Sequence, residues 1–289
     1  MSWQKMTIDE YAQLEERNGA KLCKVDDVWW RKVRPFFYRP LFPFSRIAPQ
    51  NMKPPLASFL GGYQYLVSDP MYSNSYINFM VFDEINHYTI NTVNSKRRQW
   101  INKGKRNFSI RQIDDLEDFI NIGFKIYMSF YERTHYKWNA ERRAYDGFVS
   151  WAQTLFDFPK VLLLGAYREG ILSAVAVSYL VENVIIFATY FSDMESLKAN
   201  VSDIMWHHLR EMASQCKDAT LISLGPFLRK EGLDEFKLRR GAKLIAEPAH
   251  YYVNPILLFS IKHLKTNIYE KLLGLNDEEL RSILKKDLR

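Results

Sequence analysis

The stretch Ser223-Leu224-Gly225, followed by Gly232-Leu233-Asp234-Glu235-Phe236-Lys237-Leu238-Arg239-Arg240-Gly241-Ala242, decides how this chain is read. Ser223 and Leu224 close a strand-like run that begins at Thr220. Residues 231–240 then read as a short basic helix carrying Lys237 and stopping at Gly241, since glycine adopts the left-handed conformation past a helix end at little cost. Upstream, residues 161–167, 171–180 and 184–191 are three consecutive strand-like runs. They are joined by Arg168-Glu169-Gly170 and by the tight Glu182-Asn183 connection. Residues 192–200 read as a polar loop. Ser202-Asp203 opens a helix that buries Met205, Leu209, Met212 and Ala213 at helical spacing. Residues 243–253 form the last strand.

Further outward, residues 95–107 read as a basic helix and 108–113 as a short strand. Asp114 with Glu117 gives a capping-box-like start to a helix whose stripe runs Leu116, Phe119, Ile120, Gly123, Phe124, Tyr127, Phe130 and Tyr131. A second helix from about residue 141 carries Tyr145, Phe148, Trp151, Ala152 and Leu155 and stops at Pro159. The N-terminal third is mixed: a helix over 7–18, one or two strands over 21–33, and strands over 60–67 and 76–82. Between them Pro35, Pro40, Pro43, Pro49, Pro54 and Pro55 make the connection irregular or place it at a sheet edge. Beyond Pro255 a charged helical tail includes a late helix start at Asn276-Asp277-Glu278-Glu279. The expected division is an N-terminal lobe over 1–93, a core over 94–255 and a helical tail over 256–289.

Hydrophobic residues at 47% and aromatics at 15% are enough to fill a core, which excludes a disordered chain. Apolar runs are too short to span a bilayer, and Asp9, Glu10, Glu15 and Glu16 stand where a signal peptide would be apolar. Two cysteines far apart, Cys23 and Cys216, do not make a disulfide framework and point to a reducing cytoplasm; no Cys/His spacing suits zinc, so no metal is expected. The formal charge is +7, and residues 94–111 hold seven basic residues with no acid. Such a segment suits a phosphate-rich cofactor, an RNA or an acidic partner, or else it is a solvated helix face.

The order over 108–253, β-αα-βββ-α-β-α-β, resembles the Gcn5-related N-acetyltransferase superfamily. The pattern Leu224-Gly225, Gly232-Leu233, Phe236-Lys237 and Gly241 is similar to its FemAB-like, peptidoglycan-bridge branch, as is the basic lead-in at Arg97-Arg98. The resemblance implies an α+β fold: a mixed, mostly antiparallel sheet flanked by helices, with the N-terminal third as a partial second lobe. It implies an N-acyltransferase that moves an acyl group from acyl-CoA, acetyl-CoA in the parent superfamily, to a small-molecule or peptide amine. Two alternatives stand beside it: an aminoacyl-tRNA-dependent aminoacyltransferase, and a non-catalytic module that binds RNA or an acidic partner through 94–111. In the superfamily the fourth and fifth strands splay, and backbone N–H groups of the fourth bind the donor. Its phosphates meet the start of the following helix, where free N–H groups and the dipole favour anions. By match, Phe191, Asn200, Val201 and Ser202 would bind the donor. The sequence departs from the acetyl-CoA pattern here, because 192–202 contains no glycine and carries Asp193 and Glu195. FemAB-like proteins also lack the glycine-rich loop, and many use aminoacyl-tRNA.

The candidate catalytic residues are Lys237, to pair with a phosphate or carboxylate; Asp193, to take a proton from the amine; and Tyr190, to protonate the leaving group. Against these stand a solvated lysine, a turn-forming aspartate and a core tyrosine. Arg97, Arg98, His135, Trp138, His250 and Tyr252 are candidate substrate contacts, weighed against simple packing. Arg239 and Arg240 read as surface charges, and of His207 and His208 one should face the core and one solvent.

Overall fold

A computed structural model describes residues 2–135, 139–229 and 232–287. By their contacts the residues fall into two compact units that interleave along the chain. The first comprises Met1–Thr7, Val81–Gly225 and Glu231–Ala242; the second comprises Ile8–Met80, Pro226–Lys230 and Lys243–Arg289. The strand Lys243–Val253 therefore belongs to the second unit, and Lys5–Met6 to the first.

In the first unit the strands Leu162–Arg168, Ile171–Val181 and Val184–Ser192 form an antiparallel meander, extended on one side by Ser109–Gln112. Lys5–Met6 adds a parallel partner at the end of Ile171–Val181, and Leu221–Pro226 pairs parallel with Val184–Ser192. The two long central strands are nearly continuous apolar runs, as strands covered on both faces must be. Helices cover this sheet. The helix over 116–134 contains a π segment at Phe119–Gly123 and packs with Tyr145–Asp157 through Phe119, Phe148 and Trp151. Its N-cap is Asp115, whose carboxylate accepts from the Asp118 amide at 2.9 Å, one residue later than the expected Asp114. The helix Val201–Ser214 buries Val201, Ile204, Met205, Leu209 and Ala213, and the basic helix Ser95–Asn107 lies against it.

In the second unit, Leu22–Val25, Val28–Arg34 and Phe37–Pro40 are antiparallel neighbours. Phe37–Pro40 also pairs parallel with Gly62–Val67, which pairs antiparallel with Lys243–Val253. The proline-rich connection thus contributes an interior strand, contrary to the irregular or edge position expected. Pro40 is tolerated because it is the last residue of that strand. The sheet of each unit is mixed and mostly antiparallel, as the resemblance implies. The helix Ile8–Arg17 buries Tyr11, Ala12 and Leu14, and the tail forms Pro255–Leu264, Thr266–Leu273 and Asp277–Asp287. Asn276 and Glu279 cap the last of these reciprocally, each side chain accepting from the other's amide.

Candidate active site

Two parallel strands of the first unit part company. Val184–Ser192 pairs with Ile171–Val181 along its whole length, but with Leu221–Pro226 only at Val184–Leu221, Ile185–Ile222 and Ile186–Ser223. From Phe187 onward that edge has left its parallel partner. A bulge falls in the same place: Val177 faces Thr189 while Ser178 faces Phe187, so Ala188 is an extra, exposed residue. A bulge turns the strand and leaves backbone groups unpaired, which is how an edge is re-aimed toward a ligand.

Side chains of the central helix Val201–Ser214 and of Leu233–Leu238 gather at this fork. Trp206 sits 5.4 Å from Phe187 and 5.5 Å from Phe236, ring centre to ring centre, edge-on to both. Lys237 donates through Nζ to the Leu224 carbonyl at 2.7 Å, at the end of the second prong. Burial lowers its pKa, and Asp234 partly offsets the effect. Tyr190, on the first prong, shares a 2.8 Å hydrogen bond with Ser202 in the first turn of the central helix. Burial pushes that phenol up to about 12, with the bonds from Ser202 and Ser192 and the nearby Arg240 acting in the opposite direction.

Beside Tyr190 lies a buried ionic cluster. Asp203 receives Arg97 on one carboxylate oxygen and Arg240 on the other, the latter at 3.3 Å. Arg97 also donates to the Arg239 carbonyl at 2.5 Å, and Arg240 to the Phe236 carbonyl at 3.0 Å while lying 3.6 Å over the Phe236 ring. Two guanidiniums on one carboxylate leave an excess positive charge below the solvent surface, and such a cluster holds together only when fully hydrogen-bonded. It fastens three elements: the basic helix, the central helix and the short helix bearing Lys237.

The other anticipated residues are placed as follows. Asp193 accepts from the Ser196 amide at 2.7 Å and hydroxyl at 2.8 Å, starting the short helix Met194–Lys198 where a loop was expected. Both of its oxygens are engaged in that cap. The Phe191 side chain is buried against Tyr127 and Trp151, on the core side. Asn200, in the left-handed region at φ 68°, precedes the central helix without a side-chain cap; Val201 and Ser202 follow it, both buried. Arg98 reaches the Asn91 and Val93 carbonyls at 3.4 Å. His135 is exposed at the end of its helix, and Trp138 lies outside the described residues. His250 and Tyr252 belong to the second unit, where they contact the Tyr72 carbonyl and the Tyr63 ring. Of the two histidines on the central helix, His207 is buried against Tyr88 at 2.9 Å and His208 is half-buried. Arg239 is exposed beside Glu235, as read, but Arg240 is not a surface charge: Phe236 and Asp203 enclose it.

Sequence reasoning missed Asp203, Arg240, Trp206 and the bulge at Ala188. An acid in the first turn of a helix reads simply as a favourable dipole partner, and nothing in the run Phe187-Ala188-Thr189 marks a register shift. Among the described residues, no group of three or more His, Cys, Asp or Glu side chains is placed to hold a metal ion.

Neither a protein-family model nor a curated protein matches the sequence. Solved structures do match in three dimensions. The C-terminal domain (DUF2156) of a protein described as a lysylphosphatidylglycerol synthetase from Agrobacterium fabrum aligns at a TM-score of 0.59 and 8% identity, covering 92% of this chain and 94% of that one. FemX aligns at 0.57 and 12% identity, covering 88% and 93%. L-PGS from Bacillus licheniformis aligns at 0.56 and 12% identity, covering 92% and 98%. At these identities the likeness is one of fold: the chain shares the fold of FemX and of these synthetase structures.

Proposed function

We propose that this protein is an acyltransferase working at the fork of the first unit, and that its donor is an aminoacyl-tRNA. The observation that carries the reading is the parting of Val184–Ser192 from Leu221–Pro226 after three pairs, at the level where a bulge at Ala188 shifts the register of the same strand against Ile171–Val181. A carbonyl laid along that edge would meet backbone N–H groups already in place, which is the electrostatic requirement for a tetrahedral oxyanion.

Two observations favour aminoacyl-tRNA over acyl-CoA. The start of the central helix offers no glycine cradle: Met194–Lys198 fills the approach with Asp193 and Glu195, and Asp203 is held in the first turn. The basic helix instead turns Lys96, Lys103, Lys105 and Arg106 outward, a surface for an extended phosphate backbone. The FemAB-like resemblance points the same way.

In this reading an amine attacks the aminoacyl ester carbonyl, a C–N bond forms, and the ester C–O bond to the ribose breaks. The ribose oxygen takes its proton from Tyr190, a phenol kept protonated at neutral pH by burial and relayed through Ser202. The amine's surplus proton passes through water back to the Tyr190 phenolate, which restores the acid. Lys237 fixes the end of the second prong through Leu224 and presents positive charge to the leaving strand, and Asp193 serves as a cap.

Titration calorimetry with aminoacylated tRNA and with acetyl-CoA tests the donor. Saturable, salt-sensitive binding of charged tRNA and none of acetyl-CoA is expected; acetyl-CoA binding alone would transfer the proposal to an acyl-CoA enzyme.

A further inference from the structure

The second unit carries a surface that the transfer chemistry does not use. The helix Pro255–Leu264 has no buried residue, yet its sequence, PILLFSIKHL, is mostly apolar. Ile256 is 78% exposed, Phe259 68% and Leu264 75%. The 3-10 turn Leu56–Leu60 adds Leu56 at 86% and Leu60 at 63%, and the turn before Phe37 adds Phe36.

These three segments meet at one edge of the unit. Gly62 N–H donates to the Phe36 carbonyl at 3.0 Å, Asn254 N–H to the Gly61 carbonyl at 2.9 Å, and the Asn254 side chain to the Phe59 carbonyl at 3.2 Å. Gly61 is required at the junction, because a Cβ there would lie 2.3 Å from the Phe36 carbonyl oxygen. Apolar side chains exposed together on neighbouring segments, rather than scattered singly, mark an interaction surface.

Charge decides the partner. No acidic residue occurs from 28 to 68 or from 248 to 269, while those stretches hold Arg31, Lys32, Arg34, Arg39, Arg46, Lys53, Lys262 and Lys265. Arg31, Arg46 and Lys53 are paired with carboxylates from elsewhere in the unit, and Arg39 with Gln64. Lys32, beside the Phe36 ring at 5.3 Å, and Arg34, Lys262 and Lys265 remain at the patch without a carboxylate partner among the described residues. Apolar side chains projecting between unpaired cations, with acids absent, match a negatively charged lipid surface: the side chains enter the acyl boundary and the cations stay among the headgroups. A helix of ten residues is about 15 Å long, half the hydrocarbon thickness, so it can lie in the interface but not cross it.

We propose that this edge of the second unit, Phe36 with Leu56–Leu60 and Pro255–Leu264, docks the protein on an anionic phospholipid bilayer. Flotation of the full chain with phosphatidylcholine vesicles, with and without phosphatidylglycerol, tests it. The parent should float with phosphatidylglycerol vesicles and be released by salt. The double variant Ile256→Ser/Phe259→Ser, altered only at exposed positions, should bind at least about tenfold more weakly, and Lys262→Glu/Lys265→Glu should lose the preference for the anionic lipid. Phe259→Trp should be quenched by brominated acyl chains. A parent that stays unbound, or a serine variant that floats as the parent does, overturns the proposal. So does a concentration-dependent dimer that the serine variant abolishes without any vesicle binding, which would assign the patch to a second copy of the chain.

Discussion

In the proposed transfer Tyr190 is the acid. Its phenol is buried, raised to about 12, and tied to Ser202 at the start of the central helix. Tyr190→Phe keeps the ring and removes the proton, so kcat for transfer should fall by about 10²-fold or more with folding intact. Single-turnover transfer and a thermal melt together measure this, and an unchanged rate removes Tyr190 from the chemistry. The neighbouring cluster behaves differently. Asp203→Asn leaves Arg97 and Arg240 buried without their carboxylate, a loss of about 3–5 kcal/mol that denaturant unfolding would register as a large drop in midpoint.

His207 gives a third residue-scale expectation, in pH. Burial, with Lys105 adding to it and Glu211 opposing, pushes its pKa down to about 4, below the ordinary value of 6.5, in contact with Tyr88 and near His208 and Arg210. The folded state therefore binds fewer protons than the unfolded state between these values. Stability is fully present above pH 6.5 and is lost as pH falls toward 4, by about 3 kcal/mol. Urea midpoints measured across that window should decline, and His207→Gln should flatten the decline; an equal slope in both proteins would refute this account.

At the scale of elements, the basic helix is held close to the central helix by a glycine. A Cβ on Gly104 would lie 2.8 Å from the Ile204 Cβ and 3.0 Å from the Asn200 carbonyl oxygen. Alanine ordinarily favours a helix interior over glycine by about 1 kcal/mol. Here Gly104→Ala should instead destabilise by about 1–3 kcal/mol, since neither contact atom is the far end of a flexible chain. A melt showing stabilisation would mean that the helices separate freely.

The same scale shows what the sequence makes legible. Period and punctuation place Ser95–Asn107, Ile171–Val181, Val184–Ser192 and Lys243–Val253 within a residue or so of their observed ends, because long apolar or basic runs bounded by turn residues leave few alternatives. Met194–Lys198 escapes because a five-residue helix, with only Met194 and Leu197 apolar, is too short to show a period, and only the Asp193 cap marks it. Phe37–Pro40 escapes because proline spacing outweighs a four-residue strand, one of whose two partners, Gly62–Val67, is distant in sequence. At the fork, Lys237 and Tyr190 stand out in the sequence by residue type alone. Arg240 is visible only once Asp203 and Phe236 surround it, because burial of a charge depends on long-range contacts.

For the whole molecule, a forked strand pair and an outward-facing basic helix in one unit make up the proposed site for aminoacyl transfer. What decides it is where an acyl group goes. The direct measurement follows a labelled aminoacyl group, supplied on tRNA, into base-stable amide in the presence of a cell extract as the source of acceptor. The account predicts label that moves from base-labile ester to amide with the parent protein, and about 10²-fold more slowly with Tyr190→Phe. Label that stays on tRNA with the parent, or reaches the same amide at the same rate with Tyr190→Phe, would contradict it.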